Sequence, residues 1–250
     1  MKNLIFIIFI SCSLLEKISQ EKQPKKITLE KKDRIKKHHN LVFDDLIKDP
    51  VIKKLSASQT RYLRKVTNMI FQSYPEFFKN KIRPELNFYL IKTKKPIYLS
   101  SPDGKIFFSE GLLRKYVENE SQLKSFLTYE LIRIEKNIYS LKTLIPKGSY
   151  SLNDIVSLSR LPVQEKIKLH QWAYHIREKL NKDGDNYLIW LKVQNRNFID
   201  FEFFIGDKYT IFMEEQGLRE FVVKNYNKRD ELISNTESSK EFYSLKRGLL

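Results

Sequence analysis

Glu130 is the residue whose setting most needs a chemical explanation. Leu123, Phe126, Leu127, Leu131 and Ile134 recur at the spacing of a helix face turned to a core, and Glu130 falls on that same stripe. Burying an unpaired carboxylate costs roughly several kcal/mol, so Glu130 must ionise against a partner, take a proton or reach a cavity. Arg133, one turn on, can supply the partner. The four histidines are the other candidates for metal or proton chemistry, and their spacing keeps them apart. His38 and His39 are adjacent and point different ways on a helix, and His170 and His175 are five apart, roughly 140° around one. No Ser-His-Asp or Cys-His pairing is supported.

The elements that must position Glu130 can be read along the chain. A helix is expected over Leu41 to Lys48, and a second one from an N-cap at Ser58, with Tyr62, Leu63, Val66, Met69 and Ile70 on one face, ending before Pro75. Leu86 to Ile91, Ile97 to Leu99 and Ile106 to Phe108 read as strands. The Pro102-Asp103-Gly104 turn makes the last two a hairpin, with Ile97 to Leu99 at the sheet edge. Gly111-Leu112-Leu113 opens a helical stretch, and Asn119 begins the Glu130 helix, which runs to about Asn137. Past a loop through Pro146, Gly148 and Ser149 come a short helix, Leu152 to Leu158, and a long one, Val163 to Asn181, stopped by Lys182-Asp183-Gly184-Asp185. Aromatic runs at Phe198 to Ile205 and Tyr209 to Met213 precede a last helix over Glu214 to Asn225 and a polar tail. These aromatics, with Phe77 and Phe78, read as core. There is no internal repeat, no G-x-G-x-x-G and no phosphate loop.

One ungapped order of pieces resembles a known family. Ile97 to Leu113, with its strand, Pro102-Asp103-Gly104 turn, second strand and Gly-Leu-Leu helix start, is followed by Glu120 to Arg133. Together they are similar to the HtpX-, BepA- and Oma-type zinc metallopeptidases over about half the chain. Those enzymes carry HExxH on this helix, two histidines holding zinc and a glutamate between them acting as general base. The resemblance implies that Tyr129 and Arg133 stand at the two histidine positions and that Glu130 is the retained base. It also implies that the third ligand and the aspartate four residues after it are replaced by Leu169 and Ala173; a one-residue slip would bring His170 to the ligand position. A phenol with a pKa of about 10 is a poor zinc ligand and a guanidinium has no lone pair to give. The resemblance therefore implies a decayed site with no zinc and no other cofactor. The implied fold is α+β, zincin-like helices beside a small sheet, with a C-terminal α/β extension. The edge strand Ile97, Tyr98, Leu99 and Ser100 is the expected peptide-binding edge. A divergent metallopeptidase with other ligands remains the enzymatic alternative.

The single cysteine, Cys12, excludes an internal disulfide and a cysteine-based metal cluster. It closes an apolar run, Leu4 to Ile10, that follows one positive charge and resembles a secretory signal. Phe9-Ile10-Ser11-Cys12 resembles a bacterial lipobox, in which the cysteine is acylated and becomes the mature N-terminus. Ordinary cleavage giving a secreted or periplasmic protein, and an uncleaved anchor, stay open as alternatives, although the run is shorter than the about twenty residues of a spanning helix. The expected organisation is signal peptide 1-13, basic tether 14-40, metallopeptidase-like core 41-192 and C-terminal extension 193-250, in an exported protein anchored at the bacterial cell envelope. Partners are then the membrane, through N-terminal lipid, and a protein or peptide. The net charge of +16 over 250 residues keeps a third alternative open, a basic module for anionic lipid or nucleic acid. Nucleic acid is not expected: alanine occurs only at Ala57 and Ala173 while Lys, Ile, Asn and Phe abound, so compositional drift accounts for many lysines, and the aromatic runs carry no interleaved basic pattern.

Overall fold

A computed structural model describes residues 29–79, 84–140, 151–180, 182–226 and 237–248. The signal segment with Cys12, the loop through Pro146 to Ser149 and most of the tether lie outside the described residues. The chain divides into two units between Arg34 and Ile35. Of the first, only the exposed helical residues 29–34 are described.

Helix α1, Leu29–Leu46, begins twelve residues before the expected start at Leu41. Its lysine-rich opening reads as a tether, yet Ile35, His39, Val42, Phe43 and Leu46 recur at helical spacing and are buried. A short strand β1, Ile52–Lys54, leads to helix α2, Ala57–Ser73. Its N-cap is Ser56, not Ser58: the Ser56 hydroxyl accepts from the Gln59 amide at 3.3 Å and the Gln59 side chain accepts from the Ser56 amide at 2.9 Å, a reciprocal capping box.

Strands β2 (Asn87–Ile91), β3 (Tyr98–Ser100) and β4 (Lys105–Ser109) complete a four-stranded mixed sheet in the order β1-β2-β4-β3. β3 and β4 are antiparallel, with Tyr98 opposite Phe108 and Ser100 opposite Ile106, whereas β2 and β4 run parallel. The hairpin and the edge position of β3 are as expected. Gly104 supplies the positive φ of 93° that the turn needs. Strand alternation sends Phe107 and Phe108 to opposite faces. Phe107 stacks on Phe43 of α1 at 5.4 Å, and Phe108 meets Phe126 of helix α3 (Glu120–Lys136) at 6.0 Å, so helices cover both faces of the sheet.

A π-helical turn, Leu112–Tyr116, joins the sheet to α3. After α3 come α4 (Leu152–Ser159), α5 (Val163–Lys179), α6 (Gly184–Arg196), α7 (Phe198–Ile205), α8 (Lys208–Tyr226) and α9 (Lys240–Arg247). The fold is α+β, with the sheet confined to the first half. The expected α/β character of the C-terminal part is corrected: its described residues are helical. The aromatic run FIDFEFFI has strand-like residue types, but as helix α7 it turns Phe201, Phe204 and Ile205 inward, and tertiary burial overrides local preference. The boundary at 192 is corrected as well. It falls inside α6, and α8 packs on both α5 and α6, placing Ile211, Leu218 and Val222 in the same core. The tail too contributes, through Phe242 and Leu245 of α9.

Candidate functional site

Helix α3 starts where the Asn119 side chain accepts from the Gln122 amide at 2.9 Å, and it ends at Asn137 in the left-handed conformation. One turn after Phe126, on the face that meets the sheet, comes Glu130, fully buried. Tyr98 of β3 packs on Phe126 at 5.5 Å, so Ser100, two residues on, faces α3 as well. Its hydroxyl donates to Oε2 of Glu130 at 2.6 Å.

Arg133 closes the site. Its Nη1 donates to both oxygens of Glu130, at 3.2 and 3.1 Å, and the two side chains are 1% and 0% exposed. The guanidinium also lies 5.3 Å from the centre of the Tyr139 ring, a cation–π contact. Burial pushes the Glu130 carboxyl above its ordinary value, a larger effect than the downward pull of Arg133 and the Ser100 hydroxyl.

Tyr129 turns to a different neighbour. Its ring stacks on His170 of α5 at 4.9 Å, with 29° between the planes, and burial holds the phenol well above its ordinary value. His170 is bonded through both nitrogens: Nδ1 is 2.8 Å from the Tyr187 hydroxyl and Nε2 is 2.9 Å from Oε2 of Glu214. Lys166 donates to Oε1 of Glu214 at 2.9 Å and to the Ile205 carbonyl at 2.7 Å. Burial opposes ionisation of Glu214, but Lys166 and His170 together hold its carboxyl below the ordinary value. With Glu214 ionised, its carboxylate accepts from Nε2 of His170, and the Tyr187 hydroxyl occupies the other ring nitrogen.

The structure thus brings Tyr129, Glu130, Arg133 and His170 into one interior. Leu169 and Ala173, also fully buried, offer only apolar surface. His38 and His39 lie in α1 instead of a tether, with His39 buried and edge-on to Tyr139 at 6.1 Å. His175 is partly buried and hydrogen-bonds the Tyr226 hydroxyl. The sequence reading missed Glu214, Lys166 and Tyr187. A signal existed: Glu214 sits on the Ile211, Leu218, Val222 stripe of α8, the same anomaly that singled out Glu130. Starting the last helix at Glu214 disguised it as an ordinary N-terminal acid.

The expected peptide edge is corrected. Ile97, Tyr98, Leu99 and Ser100 are 0–3% exposed as whole residues, backbone included, and α4 packs against β3. Strand addition requires accessible N–H and C=O groups, which these residues do not offer.

The donor set does not fit zinc. Tyr129 keeps its proton, Arg133 is a cation, both nitrogens of His170 are committed, and both Glu130 oxygens accept hydrogen bonds. Among the described residues, no group of three or more His, Cys, Asp or Glu is placed to hold a metal ion. No family model matches the chain, and no curated protein matches its sequence.

Proposed function

We propose that this chain is a catalytically inactive, metallopeptidase-like protein, exported and held at the bacterial cell envelope by lipid on Cys12, where it serves as a binding or adaptor module for a protein partner. The observation that carries the reading is the contact of Arg133 with both oxygens of Glu130. In the enzymes the chain resembles, a metal and a water face that carboxylate; here a fixed guanidinium neutralises it and Ser100 caps it. A general base must reach a water or a substrate proton, and Glu130 has no exposed surface from which to do so. With β3 covered, the partner docks on another surface. The test is hydrolysis of casein by the purified full chain with added zinc, set against Glu130→Gln. Equal rates, at the level of buffer, are expected. Chelator-sensitive hydrolysis that Glu130→Gln abolishes would overturn the proposal. The anchor has its own test, a mature N-terminus at Cys12 carrying acyl mass.

A further inference from the structure

Helix α5 carries a second stripe, turned outward. Lys168, Trp172, His175 and Lys179 are spaced four, three and four residues apart, one line along a helix surface. Trp172 and His175 are half-buried, and the two lysines are exposed. The fold lays the ends of two other helices beside this line. Phe77, just past α2, meets Trp172 at 5.8 Å and Tyr74 at 5.9 Å; Tyr74 meets His175 at 5.3 Å, and His175 lies 6.2 Å from Tyr226 at the end of α8. The result is a continuous row of five half-buried rings drawn from three segments distant in sequence.

Lysines are interleaved along it. Lys168 lies 5.3 Å from the Trp172 ring centre, Lys136 4.0 Å from that of Phe77 and Lys179 5.8 Å from that of Tyr74. None of the three is in an ion pair among the described residues. Glu178, beside Lys179, is turned to the Tyr174 hydroxyl, while Glu76, next to Phe77, and Glu165, one turn before Lys168, are exposed acids beside the row. The sequence reading found no such interleaving, because the lysines and rings meet only in the fold.

We propose that this face, formed by Trp172, Phe77, Tyr74 and Tyr226 with Lys136, Lys168 and Lys179, docks on the surface of an anionic lipid bilayer. Trp and Tyr are the side chains that suit the headgroup level, their apolar bodies toward the acyl chains and their polar ends in the wet layer. Lysines along such a face keep their stems on the rings and their ammonium groups among the phosphates. Charge complementarity selects the occupant: an anionic bilayer brings phosphates with net negative charge to the three ammonium groups, of which Lys136 also donates to the Phe77 carbonyl at 3.4 Å, whereas a neutral bilayer has no net charge to attract them. The inference stands on residues other than Cys12 and is tested without it.

The full chain carrying Cys12→Ser is mixed with vesicles of phosphatidylcholine alone or of phosphatidylcholine with phosphatidylglycerol, at low and high salt, and binding is read by cosedimentation and by tryptophan emission. Of the two tryptophans, Trp190 is buried and Trp172 lies on the face, so a blue shift reports on Trp172. Binding to the anionic vesicles alone, reversed by salt, with a blue shift that Trp172→Phe removes, is expected. Changing Lys136, Lys168 and Lys179 to Glu weakens it about tenfold or more, with thermal unfolding unchanged. Changing Lys94 and Lys95, exposed on the β2–β3 loop, to Glu has the smaller effect. The proposal is overturned if the triple variant binds as the parent does, if emission stays unshifted, or if a single-stranded oligothymidylate displaces the protein from the vesicles and so claims the face for nucleic acid.

Discussion

At the residue scale, the molecule turns on two buried carboxyls handled in opposite ways. Removing Arg133 strands Glu130, which can escape by taking a proton. From an ordinary value of 4.5, that escape costs about 3.4 kcal/mol at pH 7, which limits the electrostatic part of the damage. Arg133→Ala is therefore expected to destabilise the fold by about 3 kcal/mol in urea unfolding, whereas changing Glu130 and Arg133 together to Leu and Met costs about 1 kcal/mol. A double variant less stable than Arg133→Ala would contradict the pairing. The pH dependence separates the two carboxyls by sign. Glu130, raised on folding, contributes stability that is present below 4.5 and lost as pH rises through its folded value; Glu214, lowered, contributes stability present above 4.5 and lost as pH falls. Against the parent, Glu214→Gln should flatten the loss of stability below pH 4.5, and Glu130→Gln should make stability rise more between pH 4.5 and 7. The opposite pattern in unfolding measurements from pH 3 to 7 would refute these assignments. Glu130 and Arg133 were legible in the sequence because they are three residues apart on one helix. His170 and Glu214 are 44 apart, and only the packing of α8 on α5 joins them.

At the element scale, what carries strong local signals was readable: the Asn119 cap and stripe of α3, the Gly104 turn and the β3–β4 hairpin. What depends on distant packing was not. The lysine-rich start of α1 has few apolar residues to announce it, and α7 has the composition of a strand. The segment joining the sheet to the π turn shows how tightly the elements meet. Gly111 has an ordinary φ of −59°, so its lack of a side chain answers to space instead of backbone freedom. A Cβ there would lie 2.0 Å from the Lys94 carbonyl oxygen, with backbone on the other side that cannot swing away. The Gly111 amide is also bonded to the Thr93 carbonyl at 2.9 Å, which fixes the approach. Gly111→Ala should cost about 3 kcal/mol in urea unfolding, despite alanine being the better helix former. An unchanged or raised stability would show that the two segments separate easily.

At the scale of the whole molecule, the described residues from Ile35 onward share one core, and the α5–α6–α8 packing makes the C-terminal helices part of it. No described helix is long and apolar enough to cross a membrane. As proposed above, this core holds an ion pair in the setting where the resembled enzymes hold a metal. Elemental analysis of the untagged full chain, purified without chelator and dialysed against micromolar zinc, tests it most directly. Zinc far below one equivalent per chain, unchanged by Glu130→Gln or His170→Ala, is expected. One zinc per chain, lost on either substitution, would contradict it.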